Sequence, residues 1–249
     1  MNENDFKKCN ILGVNVACLD MQVLINYVKA NLSKLKGKYI CVTNVHTLVT
    51  AYDDKKYRDI QNGAAIVIPD GGPVAKECRK RGFNGTERTT GPDLLNEILK
   101  ISVENNYKHF FYGSTEDTLY KLKEEIRNKY GNVDIVGTYS PPFRELTDDE
   151  DSNVIDMINK SNADFLWVGL GAPKQEIFMA NHKGKINSLM VGVGAAFDYM
   201  AGNIKRAPMW MQKMNLEWLY RLMQDPARLF GRYFYTNIKF LIYAYILKK

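Results

Sequence analysis

The residues Ile66-Val67-Ile68-Pro69-Asp70-Gly71-Gly72-Pro73 predict a strand and a turn that leads into a helix, an order of elements that recurs along the chain. The β-branched residues predict a buried strand end, the prolines and glycines predict a turn, and Val74 to Lys80 predicts a helix. In an open α/β sheet, ligands bind beyond the carboxyl ends of the strands. Asp70 is therefore placed to reach a substrate. The alternative is that Asp70 only caps the next helix, because Asp is a favoured N-cap residue.

Strands and helices alternate along the chain. Besides the strand before Asp70 and a short strand or hairpin at Ile11 to Leu19, the pattern predicts strands at Tyr39 to Val42, His109 to Tyr112, Val133 to Val136, Asp164 to Val168 and Leu189 to Val193. It predicts intervening helices that include Met21 to Leu32, Leu48 to Asn62 and Leu94 to Asn105. Capping-box spacing occurs at Thr90 with Asp93, Ser114 with Asp117, and Thr147 with Glu150. We expect an α/β fold with a mainly parallel, Rossmann-like sheet flanked by helices.

Charge divides the 249 residues into two parts. Lys205 to Lys249 carries nine Lys or Arg and two Asp or Glu, a net charge of +7. The whole chain carries +6, which leaves −1 for residues 1–204. We therefore expect an α/β core at 1–204 and a basic, aromatic helical appendage at 205–249. Such asymmetry favours an anionic partner surface, either a membrane or a nucleic acid.

The cysteine and histidine residues argue against a disulfide-stabilised protein and against a histidine-based metal site. The four cysteines form no C-x-x-C pair, which fits a reducing cytosol better than a disulfide framework. The three histidines are scattered, so a histidine-based metal cluster is not expected. The first residues lack the basic and apolar regions of a signal peptide, which favours a cytoplasmic protein.

Four predicted strand ends carry polar or glycine-rich turns. They are Thr43-Asn44, Asp70-Gly71-Gly72, Gly113-Ser114-Thr115 and Gly169-Leu170-Gly171. Helix N-termini after such turns present free N–H groups to phosphates, which indicates a phosphorylated or nucleotide ligand. No G-x-G-x-x-G follows the first strand and no Walker A lysine occurs, which argues against NAD-dependent and P-loop chemistry.

Several runs of residues occur together in one order. They are Asn44-Val45-His46-Thr47, Pro69-Asp70-Gly71, Glu87-Arg88 with Gly91-Pro92-Asp93, Gly169-Leu170-Gly171-Ala172-Pro173-Lys174-Gln175-Glu176, Phe197-Asp198, and Lys205-Arg206-Ala207-Pro208 through Glu217-Trp218-Leu219-Tyr220-Arg221. This set resembles the WecG/TagA/CpsF family of bacterial glycosyltransferases over about residues 10–235. The fourth and last runs are the specific ones.

The resemblance implies a metal-independent, inverting transfer that uses no cofactor. The donor would be a UDP-sugar, and N-acetylmannosamine or another hexose would move to a sugar on a polyprenyl diphosphate lipid. The enzyme would lie peripherally on the inner face of the plasma membrane and serve teichoic acid or cell-surface polysaccharide synthesis. The acceptor sugar and the oligomeric state, including a homo-oligomer, stay open.

Inversion requires one general base within hydrogen-bond reach of the attacking hydroxyl, and Asp70 is the predicted base. Bidentate guanidinium groups suit a leaving diphosphate. The resemblance adds Arg221 and Arg228 as catalytic residues, whereas a third expected arginine is Gly231 here. The predicted substrate-binding residues are Thr43, Asn44, Arg88, Gly91, Asp93, Gly171, Lys174, Gln175, Glu176 and Asp198. Some relatives carry Thr at the position of Val42, so Asn44 has more support than Thr43.

One acidic cluster, Asp148-Asp149-Glu150-Asp151, formally contains D-x-D. A metal site usually uses clustered carboxylates. Acidic first turns of helices are common, however, and compensate the helix dipole. We favour the second interpretation and predict no metal site.

The tail sequence has three interpretations. Leu229 to Leu247 combines many aromatic residues with cationic ones, and Asn237 and Lys239 interrupt any spanning helix. Such a helix suits the surface of an anionic membrane, although an ordinary core helix is the alternative. Nucleic-acid binding is not expected, since no RRM, KH or helix-turn-helix signature occurs.

An alternative function for the whole chain is a nucleotide-sugar-binding regulator without turnover. Such a protein would share the polar and glycine-rich turns but would not require Asp70.

Overall fold

The computed structural model describes residues 6–246 and contains two sheets. A β-hairpin of β1 (Lys8–Ile11) and β2 (Val14–Ala17) precedes the main sheet. The main strands are β3 (Tyr39–Thr43), β4 (Ile66–Pro69), β5 (Lys108–Gly113), β6 (Asp134–Tyr139), β7 (Phe165–Gly169) and β8 (Leu189–Gly192). The helices of the core are α1 (Met21–Leu35), α2 (Val45–Asp53), α3 (Lys55–Asn62), α4 (Gly72–Lys80), α5 (Gly91–Asn105), α6 (Glu116–Tyr130), α7 (Asp148–Lys160), α8 (Lys174–Asn181) and α9 (Ala196–Met200).

The main sheet is parallel throughout, in the order β4-β3-β8-β7-β5-β6. This confirms the predicted Rossmann-like α/β fold. The chain runs outward from β3 to β4 at one edge and from β5 to β6 at the other. Where connections diverge in this way, a crevice opens beyond the carboxyl ends of the central strands.

Each strand of the sheet feeds two separate cores, because successive side chains point to opposite faces. Ile40, Phe111 and Trp167 lie in the core shared with α1, α5 and α6. Cys41 and Leu166 lie in the second core, with the hairpin and residues of α2, α4 and α7. Both faces are therefore covered, as a parallel sheet requires.

Local capping corrects two of the predictions. The helix expected from Leu48 to Asn62 is two helices, because the carboxylate of Asp54 accepts hydrogen bonds from the Lys56 and Tyr57 N–H groups and starts α3. The N-cap of α6 is Thr115 rather than Ser114, whose φ of 63° lies outside the range of a cap.

Asp70 is not a helix cap. The N-cap residue of α4 is Gly71, which has φ +89°, and no side chain accepts a capping hydrogen bond at the start of this helix. The capping interpretation of Asp70 is therefore wrong. The carboxylate stays available for other contacts.

The tail forms α10 (Met209–Lys213), α11 (Glu217–Gln224) and α12 (Pro226–Leu241), followed by a π-helical turn, Ile242–Ile246. One side of α12 lies along α2, where Lys239 Nζ is 2.7 Å from Asp53 Oδ2. In the π-helical turn, the ring of Tyr243 lies 4.4 Å from that of Tyr52 in a tilted arrangement. The opposite side of α12 is exposed. Within residues 6–246, no helix has the length and apolar character needed to cross a bilayer. The proposed boundary after residue 204 stays a prediction.

Gly113→Ala should destabilise the fold. Gly113 has φ +116°, and an added Cβ would lie 2.8 Å from the backbone carbon of Gly169. The unfavourable φ and the clash together should lower the free energy of unfolding by about 3 kcal/mol. Gly131→Ala is the control, since its φ of +71° is also unfavourable but nothing lies within 4 Å. Urea unfolding should show a loss of only about 1 kcal/mol for the control. Equal losses would contradict the clash.

Candidate active site

The site is centred on the ends of two adjacent strands. Asp70 follows β4, and its backbone N–H donates to the carbonyl oxygen of Thr43 at 2.8 Å. Asn44 follows β3 and caps α2 in a capping box with Thr47. Because the Asn44 oxygen accepts from Thr47 N–H, its amide nitrogen faces Asp70, at 3.5 Å from Oδ2. The cap of one helix thus orients a donor toward the carboxylate.

Burial raises the pKa of Asp70 to about 6, against an ordinary value of 3.8. The positive charge of Arg88 and the hydrogen bond from Asn44 oppose this shift, whereas the charges of Glu217 and Asp93 add to it. A carboxylate of this kind is mostly ionised at neutral pH and yet accepts a proton more readily than an ordinary one. These are the properties of an effective general base.

Ion pairs attach the tail to this site. The Arg88 guanidinium pairs with Glu217 of α11 and donates to the Gln212 carbonyl oxygen at 3.2 Å. Arg206 donates to both oxygens of Asp93, at 2.6 and 2.9 Å, and to Glu217 at 3.2 Å. Burial opposes the charge of Asp93, but hydrogen bonds from Arg206 and its N-cap Thr90 outweigh this effect and lower the pKa of Asp93. Charged side chains of the tail therefore contribute to the electrostatic potential around Asp70 and Asp93.

A turn of the tail also contacts the Asp70 loop directly. A Cβ at Gly72 would lie 2.0 Å from the side chain of Asn215, so only glycine leaves room for this approach. Arg221 lies over the ring of Tyr199, with 5.6 Å between its guanidinium carbon and the ring centroid. Arg228 is exposed and pairs with Asp225 of its own helix at 2.5 Å. Of the two predicted tail arginines, Arg221 faces the core and Arg228 faces solvent.

The loop between β7 and α8 forms the other wall. Gly171 has φ +76° and its N–H donates to Gln175 Oε1 at 3.2 Å. Gln175 and Glu176 are buried, whereas Lys174 is exposed at the first residue of α8. Lys174 can therefore meet a ligand directly, while the two buried residues support the loop from beneath.

The remaining predicted residues lie at the same edge of the sheet. Gly91 starts α5, and a Cβ there would lie 3.0 Å from the carbonyl oxygen of Val193, just after β8. Asp198 is half-buried in α9, where Oδ1 accepts from Asn203 at 3.4 Å. Thr43 is fully buried, and its hydroxyl donates to Gln61 at 2.6 Å.

Sequence reasoning missed five residues of the site. Arg206, Glu217 and Asn215 link the tail to the core. Arg206 and Glu217 belong to the sequence run that resembles the family, but no role was predicted for either. Tyr57 and Gln61 are buried polar residues of α3. The available signal was their spacing of four residues, which puts both on one helix face.

The acidic cluster at the start of α7 is used for capping and pairing. Thr147 and Glu150 form a capping box, and Arg144 holds both Glu150 oxygens at 2.6 and 2.7 Å. Asp151 pairs with His182 at 2.9 Å. Within residues 6–246, no group of three or more His, Cys, Asp or Glu side chains has the arrangement of a metal site.

Fold and site together define a Rossmann-like α/β protein with a partly buried carboxylate, Asp70, beyond the carboxyl end of β4. The model of the glycosyl transferase WecG/TagA/CpsF family matches residues 9–249. The chain therefore belongs to this family and is a glycosyltransferase, which confirms the resemblance. It is 32% identical over 193 residues to a Bacillus subtilis (strain 168) protein named N-acetylglucosaminyldiphosphoundecaprenol N-acetyl-beta-D-mannosaminyltransferase. The match covers 77% of this chain and 73% of that relative.

Asp70→Asn should stabilise the protein at neutral pH. Because the folded state raises the pKa of Asp70 from 3.8 to about 6, it binds the proton more tightly than the unfolded chain does. Wild-type stability therefore falls as pH rises through this interval and stays reduced above it. The full shift corresponds to about 3 kcal/mol, and residual solvent contact reduces the expected gain to about 1–2 kcal/mol.

Urea unfolding at pH 7.5 and pH 4 measures this effect. The variant should be more stable at pH 7.5 and equal to the wild type at pH 4. A variant that is less stable than the wild type at pH 7.5 would show that the ionised carboxylate is well solvated or well paired.

Proposed function

We propose that this glycosyltransferase moves a sugar, N-acetylmannosamine or another hexose, from a UDP-sugar to a sugar carried on a polyprenyl diphosphate. The observation that carries the proposal is Asp70, a carboxylate with a raised pKa beyond β4, in a chain of this family. The name of the Bacillus relative, with its diphosphoundecaprenol acceptor and mannosaminyl group, supports the substrate class.

In the proposed mechanism, one Asp70 oxygen takes the proton of the acceptor hydroxyl. The hydroxyl oxygen attacks the anomeric carbon, the bond from that carbon to the UDP oxygen breaks, and UDP leaves with the bonding electrons. Attack from the opposite face inverts the configuration. The Asn44 amide holds the carboxylate in the orientation that the proton transfer requires, since a misplaced base loses efficiency steeply.

The leaving diphosphate requires positive charge or fixed donors. Arg88 and Arg221 supply guanidinium groups near the crevice, and Arg228 would join them if α12 shifted when substrate binds. The pair between Arg88 and Glu217 has to open or rearrange for Arg88 to contact the diphosphate. The Gly171 loop and Lys174 at the start of α8 offer further contacts to an anion.

The other predicted residues divide into two groups. Lys174, Gly171 and Asp198 lie at the surface of the crevice and suit direct contacts with donor or acceptor. The second group supports the crevice from within or through the ion pairs of the tail, and consists of Thr43, Gly91, Asp93, Gln175 and Glu176.

Transfer should depend on Asp70 and not on a divalent cation. In the assay, UDP release is followed while several UDP-sugars are screened with a short-chain polyprenyl diphosphate-linked sugar. Asp70→Asn should lower turnover by about 10²–10⁴ while keeping donor binding, which is the usual size of a general-base effect. EDTA should leave the rate largely unchanged.

Three outcomes would contradict parts of this proposal. Near-normal turnover by Asp70→Asn would exclude Asp70 as the base. Loss of activity in EDTA, restored by magnesium or manganese, would exclude the cation-free mechanism. Tight UDP-sugar binding without UDP release from any donor and acceptor would favour the alternative, a nucleotide-sugar-binding regulator.

The tail supports peripheral association with the inner face of the plasma membrane. The tail exposes many large apolar side chains, which together we call the apolar tail surface: Met209, Trp210, Met214, Trp218, Met223, Phe230, Phe234, Tyr235, Ile238, Leu241 and Ile242. Lys205, Lys213 and Arg228 are also exposed. Aromatic and cationic side chains together favour the interface of an anionic bilayer, where a polyprenyl acceptor resides.

Removing two aromatic rings from the apolar tail surface should weaken membrane binding. Phe230 and Phe234 stack in parallel with centroids 5.9 Å apart, and each is about 60% exposed. The double variant Phe230→Ser/Phe234→Ser should bind phosphatidylglycerol-containing vesicles at least about tenfold more weakly, since each ring contributes more than 1 kcal/mol when buried.

Phe143→Ser is the matched control, because Phe143 is 96% exposed but lies in the core segment. It should bind vesicles as the wild type does in a sedimentation assay. Equal binding by the wild type and the double variant would show that the tail docks elsewhere or not at all.

A further inference from the structure

A chain of buried polar side chains runs beneath the crevice. The Thr43 hydroxyl donates to Gln61 Oε1 at 2.6 Å, and Gln61 Nε2 donates to the Tyr57 hydroxyl at 2.9 Å. The Tyr57 hydroxyl donates to Glu176 Oε2 at 3.1 Å, and Gln175 Nε2 donates to Glu176 Oε1 at 2.8 Å. Each of the five side chains is at least 95% buried. We call this set the buried relay.

The buried relay connects the two walls of the site. At one end, the backbone of Thr43 accepts the N–H of Asp70 at 2.8 Å. At the other end, Gln175 Oε1 accepts the N–H of Gly171 at 3.2 Å. The relay passes under β8, where a Cβ at Gly192 would lie 3.0 Å from Gln175 Nε2. It therefore links the loop that carries the base to the loop between β7 and α8.

Glu176 is the centre of this chain. Both of its carboxylate oxygens accept hydrogen bonds from neutral groups, and the side chain is 0% exposed. Burying a carboxylate costs free energy, and burial raises the pKa of Glu176. An apolar residue would fill this position at lower cost if packing were its only role. The cost is explained if both oxygens are needed to fix their donors in place.

We propose that Tyr57 and Glu176 are positioning residues for the donor, which hold Gln175 and the Gly171 loop at a set distance from Asp70. Neither residue touches the substrate. The inference rests on the proposed function, because it assigns the Gly171 loop to the nucleotide diphosphate of the donor. It changes the predicted role of Glu176 from a substrate contact to a support for Gln175.

The test uses Tyr57→Phe, which removes one oxygen and keeps the ring, together with Glu176→Gln, which keeps the shape of the side chain. Each variant should raise the donor KM about tenfold and weaken UDP binding by a similar factor in calorimetry. The acceptor KM should stay within about twofold. The double variant should lose less than the product of the two single effects, since both act through the same contact.

Ser102→Ala is the matched control. The Ser102 hydroxyl is buried and bonds His109 Nε2 at 2.8 Å, away from the relay. This variant should lower the unfolding temperature while leaving both KM values unchanged. If Tyr57→Phe keeps the wild-type donor KM, the positioning role is excluded. If the wild type itself neither binds UDP nor releases it from any donor, the proposed function fails instead, and the two failures are distinct.

Discussion

The carboxylate of Asp70 is partly withdrawn from water at the end of a buried strand, and neighbouring elements compensate for that cost. Its backbone is tied to β3, the Asn44 amide faces one oxygen, and Arg88 supplies positive charge. Full compensation would give an ordinary acid, which is a poor base at neutral pH. The opposing charges of Glu217 and Asp93 keep the pKa raised. The proposed role of Asp70 as a base therefore depends on incomplete stabilisation of its ionised form, which should make the native state less stable at neutral pH.

The tail contributes both to the charges at the proposed active site and to the proposed membrane-binding surface. Its inner side supplies Glu217 and Arg206, whose ion pairs with Arg88 and Asp93 contribute to the charge around Asp70. Its outer side presents apolar rings and cations to solvent. Because one short segment carries both surfaces, the proposed docking to a bilayer would act on the same segment that holds these ion pairs. The ion pairs lie at the crevice, so displacement of Glu217 by a diphosphate would change the way the tail is held.

The parallel sheet and its polar strand ends followed from periodicity and turn residues, since alternation of strands with helices leaves few possible topologies. Asp70, Asn44 and the Gly171 loop were predicted as site residues, and they follow β4, β3 and β7 at the carboxyl ends of the parallel strands. The break at Asp54 and the cap at Thr115 were missed. At the start of α6, Ser114 and Thr115 are neighbouring polar residues that could each cap the helix, and local backbone geometry decides between them. The contacts of Arg206 with Asp93 and of Asn215 with Gly72 could not be predicted from spacing, since each joins residues more than 100 positions apart.

The sequence by itself determined the fold class and the family, because both are encoded by residues that are close together in the chain. Tertiary structure decided which charges surround Asp70, that Thr43 and Glu176 point into the interior, and that Tyr57 and Gln61 connect them. The physical reason is that pKa values and buried hydrogen bonds depend on distances and solvent exclusion. These are set only when β3, β7, α3 and the tail are packed together.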